Sequence, residues 1–137
     1  MNPDAVMQEL ADLVDQIQGL RVQGYPAESV AAPAAVVTYP VDQAYDITAG
    51  NGGSRMNPAV VVLVGNVYKK TTRQTIGEYA SPSGPQSIKA ALESKGAGEY
   101  ESFDDIRVTG VTYDVVQIGA VEYLAATFTC DIIGAGE

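Results

Sequence analysis

Val6, Leu10, Leu13, Val14 and Ile17 recur at steps of three and four residues. That spacing gathers them into one apolar stripe, the pattern of a helix that lays one face on a core. Asn2 is placed to cap this helix, and Pro3 suits its first position. Asp4 follows near the positive end of the helix dipole, and Gly19 is a natural stop. Glu9, Asp12, Asp15 and Gln16 fall off the stripe.

Further on, the pattern changes. Residues 20–24 predict a short strand, and Pro26 and Pro33 bound a turn-rich connector. Residues 34–39 read as a strand with Val36 and Val37 on opposite faces, ended by Pro40. The stretch 41–58 is rich in Asp, Asn, Gly and Ser and poor in large apolar residues. It predicts a long loop: a partner-ordered segment, a mobile connector, or an ordinary hairpin with its tip at Asn51-Gly52-Gly53.

The run AVVVLVGNVY at 59–68 does not alternate. A strand of this kind is covered on both faces, here by the first helix and by a second helix or a neighbouring subunit. Thr72 is placed to cap a short helix through Tyr79, weakened by Gly77. After the break Ser81-Pro82-Ser83-Gly84, Pro85 starts another helix carrying Ile88, Ala91 and Leu92, which ends near Lys95-Gly96. A hairpin closes the chain, with strands 107–118 and 121–133 joined at Gly119-Ala120. Gly in the first turn position suits a type II′ turn. Leu124, Ala126, Phe128, Cys130 and Ile132 share one face of the second strand. The first strand changes its apolar face near Val115, which predicts a bulge there. The expected fold is α+β: an amphipathic N-terminal helix and two short helices on a mixed, mainly antiparallel sheet with a C-terminal β-hairpin. Residues 1–137 make one domain.

Composition narrows the chemistry. Histidine is absent and Cys130 is the only cysteine. No Ser-His-Asp triad, Cys-His pair, internal disulfide or cysteine metal cluster can form within the chain. Met1 to Gln18 carries acids where a signal peptide carries a basic start and an apolar block, so the expected site of synthesis and use is the cytoplasm. No run approaches the length of a membrane span.

The net charge of -9 repels free duplex DNA. Its distribution is uneven. The bases Arg55, Lys69, Lys70, Arg73, Lys89 and Lys95 fall in residues 51–95, between acidic ends. This is either an ordinary mixed surface or two complementary patches that meet between subunits.

No catalytic motif emerges. Gly50-Asn51-Gly52-Gly53 lacks the Gly-Lys-Ser/Thr of a phosphate loop. Asp104 and Asp105 are strand neighbours that point apart. Glu99 and Glu101 offer oxygen ligands for a cation, and Cys130 reads as a small buried hydrophobe. The chain is expected not to be an enzyme and to carry no cofactor or metal. Lys69, Lys70 and Arg73 form either a solvated strand end or a contact for an acidic neighbour. With Tyr45, Asp46 and Arg55 they are the candidate subunit or tube interface. The eight tyrosines are too dispersed for a nucleic-acid stacking strip.

The order of elements carries a resemblance. The amphipathic helix leads to Gly19-Leu20-Arg21-Val22, then to Ala35-Val36-Val37, a long loop and a Val-rich strand. The stretch from Glu78-Tyr79-Ala80-Ser81-Pro82-Ser83-Gly84-Pro85 to Ile88-Lys89-Ala90-Ala91-Leu92 follows, and the final hairpin contains Tyr123-Leu124. Most of the chain thus resembles the tail terminator (tail-completion) proteins of siphophages, above all those infecting actinobacteria. The resemblance implies an α+β subunit of a homo-oligomeric ring, typically sixfold, at the head-proximal end of the virion tail. Its partners are copies of itself, the tail-tube protein and the head–tail connector or neck protein. Genomic DNA passes through the lumen without specific binding, and no membrane is involved. The alternatives are another neck or connector component, a tail-tube subunit, or a small ligand-binding α+β domain.

Overall fold

The computed structural model describes residues 2–23, 33–40, 43–45 and 53–135. Three helices pack on a mixed seven-stranded sheet. The first helix, α1 (Pro3–Val14), is capped as expected: the Asn2 side chain accepts the N–H groups of Asp4 and Ala5 at 2.9 and 3.4 Å. Val6, Leu10, Leu13 and Val14 are buried, and Ile17 is buried in the turn that follows.

The strands are β1 (Arg21–Gln23), β2 (Ala34–Val37), β3 (Gln43–Tyr45), β4 (Gly53–Met56), β5 (Ala59–Asn66), β6 (Asp105–Ile118) and β7 (Val121–Ala135). Their registers reduce seven strands to five ribbons. Met56 faces Ile132 and Ala59 faces Thr129, so β4 and β5 run in unbroken register along one edge of β7. Pro58 sits at their junction. It has no N–H to give, yet its carbonyl still accepts the Cys130 N–H at 3.1 Å, which keeps the ladder to β7 continuous. On the other side of this ribbon, β2 pairs with β5 and β3 pairs with β4. Beside Pro58 that neighbour interrupts its pairing, and the Thr38 hydroxyl takes over, accepting from the Ala59 N–H at 3.2 Å. Among the described strands only β1 is parallel to its partner, β2.

The segment 41–58 therefore carries two antiparallel strands, which fits the hairpin among the alternatives and not a loop without strands. The expected hairpin tip at Asn51-Gly52 lies outside the described residues.

The helices are α1, α2 (Lys70–Ala80) and α3 (Ile88–Leu92). All three contribute to the cluster that contains Val60, Val62, Val64, Ala126, Phe128, Cys130 and Ile132. The helix lying on β5 is α2; α1 packs on β2 and α3 instead. Ala34, Val36, Leu63 and Ala125 alternate to the opposite face and are also buried. Both edges of β5 are paired, and on this far face Leu63 is buried while Ala59 and Val61 are half-buried.

Two helix starts differ from expectation. The first residue of α2 is Lys70, and Lys69 at the cap position makes no side-chain cap bond. Thr72 lies inside the helix, buried against Gly65, where an added Cβ would come within 2.9 Å of its hydroxyl. The cap of α3 is Ser87, whose hydroxyl accepts the Ala90 N–H at 3.1 Å. Pro85 lies before the helix.

Candidate assembly surface

The β6–β7 hairpin pairs along its whole length, from Asp105 opposite Ile133 to Ile118 opposite Val121. Gly119 has φ 64°, the positive value its place in the turn requires. The register shifts between Val108 and Gly110, so the bulge falls at Thr109 and not near Val115. An extra residue here lets Ile106 and Val108 face the helices before the bulge and Val111, Tyr113 and Val115 face the same side after it.

The two halves of β6 meet different surroundings. Near the bulge α3 lies beside the strand. Glu93, just past its end, accepts the Val108 N–H at 2.8 Å through the oxygen that also binds Lys89 at 2.6 Å. Partial burial pushes the Glu93 carboxyl up. The hydrogen bonds from Lys89 and Val108 outweigh this, with the charges of Lys89 and Arg107, and hold it below the usual carboxylate value.

Beyond the bulge this cover ends. Tyr113 is 54% and Val115 47% exposed. Among the described strands β6 pairs only with β7, so no described strand covers the outer edge of residues 111–117, where the Val115 N–H donates to the Asp114 carboxylate at 2.7 Å. An exposed edge of this length beside apolar side chains is a ready template for another chain. A hollow of about 260 Å³ opens next to the bulge, lined by Ala80, Pro82, Lys89, Val108, Val111 and Phe128.

The interface candidates read from the sequence fall at several places on the fold. Tyr45 is exposed on β3, while Asp46 lies outside the described residues. Arg55 on β4 is exposed and reaches across to Asp131 on β7 at 3.1 Å. Lys69, Lys70 and Arg73 are exposed at the start of α2, next to Tyr68. They sit at the opposite end of the strands from Arg55, so the candidates do not form one patch. Arg55 faces Ile133, whereas Asn66, just before this basic group, faces Tyr123. Ten residues of β7 separate the two partners, about 33 Å at the rise of a strand.

The basic group does adjoin the open half of β6. The Tyr68 hydroxyl donates to Glu122 on β7 at 3.0 Å, and the Val67 N–H donates to the Glu122 carbonyl at 3.1 Å. The hydrogen bond to Glu122, and its charge, raise the Tyr68 pKa. Reasoning from the sequence passed over Tyr68, Tyr113 and Val115. The available signal was the change of apolar face within β6, but the sequence does not say which half the helices cover.

Asp104 is exposed, and the neighbouring Asp105 carboxylate accepts the Ile106 N–H at 2.9 Å. Among the described residues no group of three or more acids or thiols is placed to hold a metal ion. Cys130 is fully buried, and burial pushes its thiol up to about 12.

Comparison of the sequence with protein-family models finds no match, and comparison with curated proteins finds no significant match.

Proposed function

We propose that this chain is a structural virion protein that caps the tail tube of a long-tailed phage. Copies close into a ring, six in the family the sequence resembles, end tube growth and join the tail to the head connector. The reading draws on that resemblance and on one structural observation: the half-strand 111–117 with Tyr113 and Val115 left open. A monomer gains nothing from leaving such an edge bare, whereas an assembling subunit uses it to receive a neighbour.

The mechanism is surface matching. One face of the ring copies the docking surface of a tube subunit, and the opposite face does not offer it again, so growth stops. The acidic balance suits the lumen, because a negatively charged wall does not grip passing DNA.

Light scattering on the purified chain, followed by electron microscopy with the tail-tube protein, tests this. A terminator forms closed rings and shortens or blunts growing tubes. Long tubes from the chain alone identify a tube subunit instead. A monomer or dimer at every concentration, without effect on tubes, favours a small ligand-binding domain.

A further inference from the structure

The molecule has two oppositely charged ends. Where β5 leaves the sheet it exposes Tyr68, Lys69, Lys70 and Arg73, close to the hairpin turn. At the other end, the loop 99–104 exposes Glu99, Glu101 and Asp104. Its position is fixed twice. The two Glu9 carboxylate oxygens accept the N–H groups of Glu101 and Ser102 at 3.0 and 2.8 Å, and the Asp104 N–H donates to the Ile133 carbonyl at 2.9 Å. Glu101 and Asp104 are therefore exposed on a braced loop, and the Glu99 carboxylate beside them accepts the Gly96 N–H at 3.0 Å.

The two ends are separated along β7 by the span from Tyr123 to Ile133, about 33 Å. That is roughly four Debye lengths at physiological ionic strength, so they do not neutralise each other within one chain. Among the described residues none of Lys69, Lys70, Arg73, Glu99, Glu101 and Asp104 joins an ion pair. Charges of the other sign are present at each end but do not cancel it. Glu122 is held by Tyr68 and Asp15 closes α1 at the basic end; Lys95, Arg107 and Arg55, the last paired with Asp131, stand near the acidic loop.

We infer that the basic end of one copy, together with the open half of β6 beside it, docks on the acidic end of the next. Lys69, Lys70 and Arg73 face Glu99, Glu101 and Asp104 of the second copy, and Tyr68, 81% exposed, supplies an aromatic anchor. The occupant is a second copy because the complementary surface is carried by the same chain, whose net charge of -9 disfavours nucleic acid. Each partner uses a different surface, so the contact is head-to-tail. Such contacts close into rings when the rotation permits. The inference rests on the self-assembling reading above and gives that assembly a polarity.

Two neutralised variants test it: Lys69→Gln with Lys70→Gln and Arg73→Gln, and Glu99→Gln with Glu101→Gln and Asp104→Asn. Each is checked for an unchanged circular dichroism spectrum and then sized by light scattering. Each alone is expected to stay monomeric. Mixed one to one they are expected to give a dimer and nothing larger, because only one basic end and one acidic end remain intact. Wild-type association should weaken at least about tenfold at roughly 0.5 M salt. If the wild type assembles and either variant assembles equally well, or the mixture stays monomeric, the head-to-tail assignment falls while the ring reading stands. A wild type that is monomeric even at low salt overturns both.

Discussion

Before Thr109, strand β6 keeps Ile106 and Val108 at 5% and 8% exposure; past Gly110, Tyr113 and Val115 stand at 54% and 47%. The ladder to β7 does not explain this, because it runs through both halves. What differs is cover. The first half has α3 beside it and Glu93 on its edge, and the second has neither. A strand can thus be fully formed along its length while half serves the core and half stays exposed. Pairing and burial are separate properties, and only burial marks the difference in role.

The largest expected effect comes from truncation on the covered side. Ile106→Ala removes a buried side chain and should cost about 2–5 kcal/mol. Val115→Ala, on the open half, should stay within about 0.5 kcal/mol. Urea unfolding of both at a concentration where the chain is monomeric checks the contrast. Equal losses would show the open half to be covered in solution.

Next is the edge cover itself. Glu93→Ala leaves the Val108 N–H without its acceptor and should cost about 1–3 kcal/mol. A related, smaller effect lies in the pH dependence. The folded state holds Glu93 below its ordinary value of 4.5. Its contribution is therefore present above about pH 4.5 and is lost as pH falls through the lower folded value. Glu93→Gln should flatten that part of the acid limb in unfolding curves recorded below pH 5.

Val115→Lys should leave monomer stability nearly unchanged, within about 0.5 kcal/mol. If the open half receives a neighbour, sedimentation should nevertheless show that self-association is lost. Full assembly by this variant would remove the main support for the ring.

Much of the fold was legible in the chain. The stripe from Val6 to Ile17 identified α1, because helical spacing is a local signal. The alternation of Phe128, Cys130 and Ile132 identified the inner face of β7 for the same reason. Errors appeared where distant residues decide. Thr72 looked like a helix cap, but close packing against Gly65 draws it into the interior. Residues 41–58 stayed open between loop and hairpin because the few polar residues of β3 and β4 acquire strand character only from the strands beside them. Of the candidate interface, the basic group at Lys69–Arg73 was visible as composition. Its neighbourhood with Tyr113 and Val115 was not, since it depends on how the hairpin lies against the start of α2.

Cys130 gives the chain an internal clock. It is the sole thiol, fully buried on the inner face of β7, with its proton held to about pH 12. A thiol reagent can reach it only when the central ribbon lets go, so the labelling rate of the untouched protein times that opening. Assembly that clamps the hairpin should slow the clock, and assembly elsewhere should leave it running at the pace of the single chain.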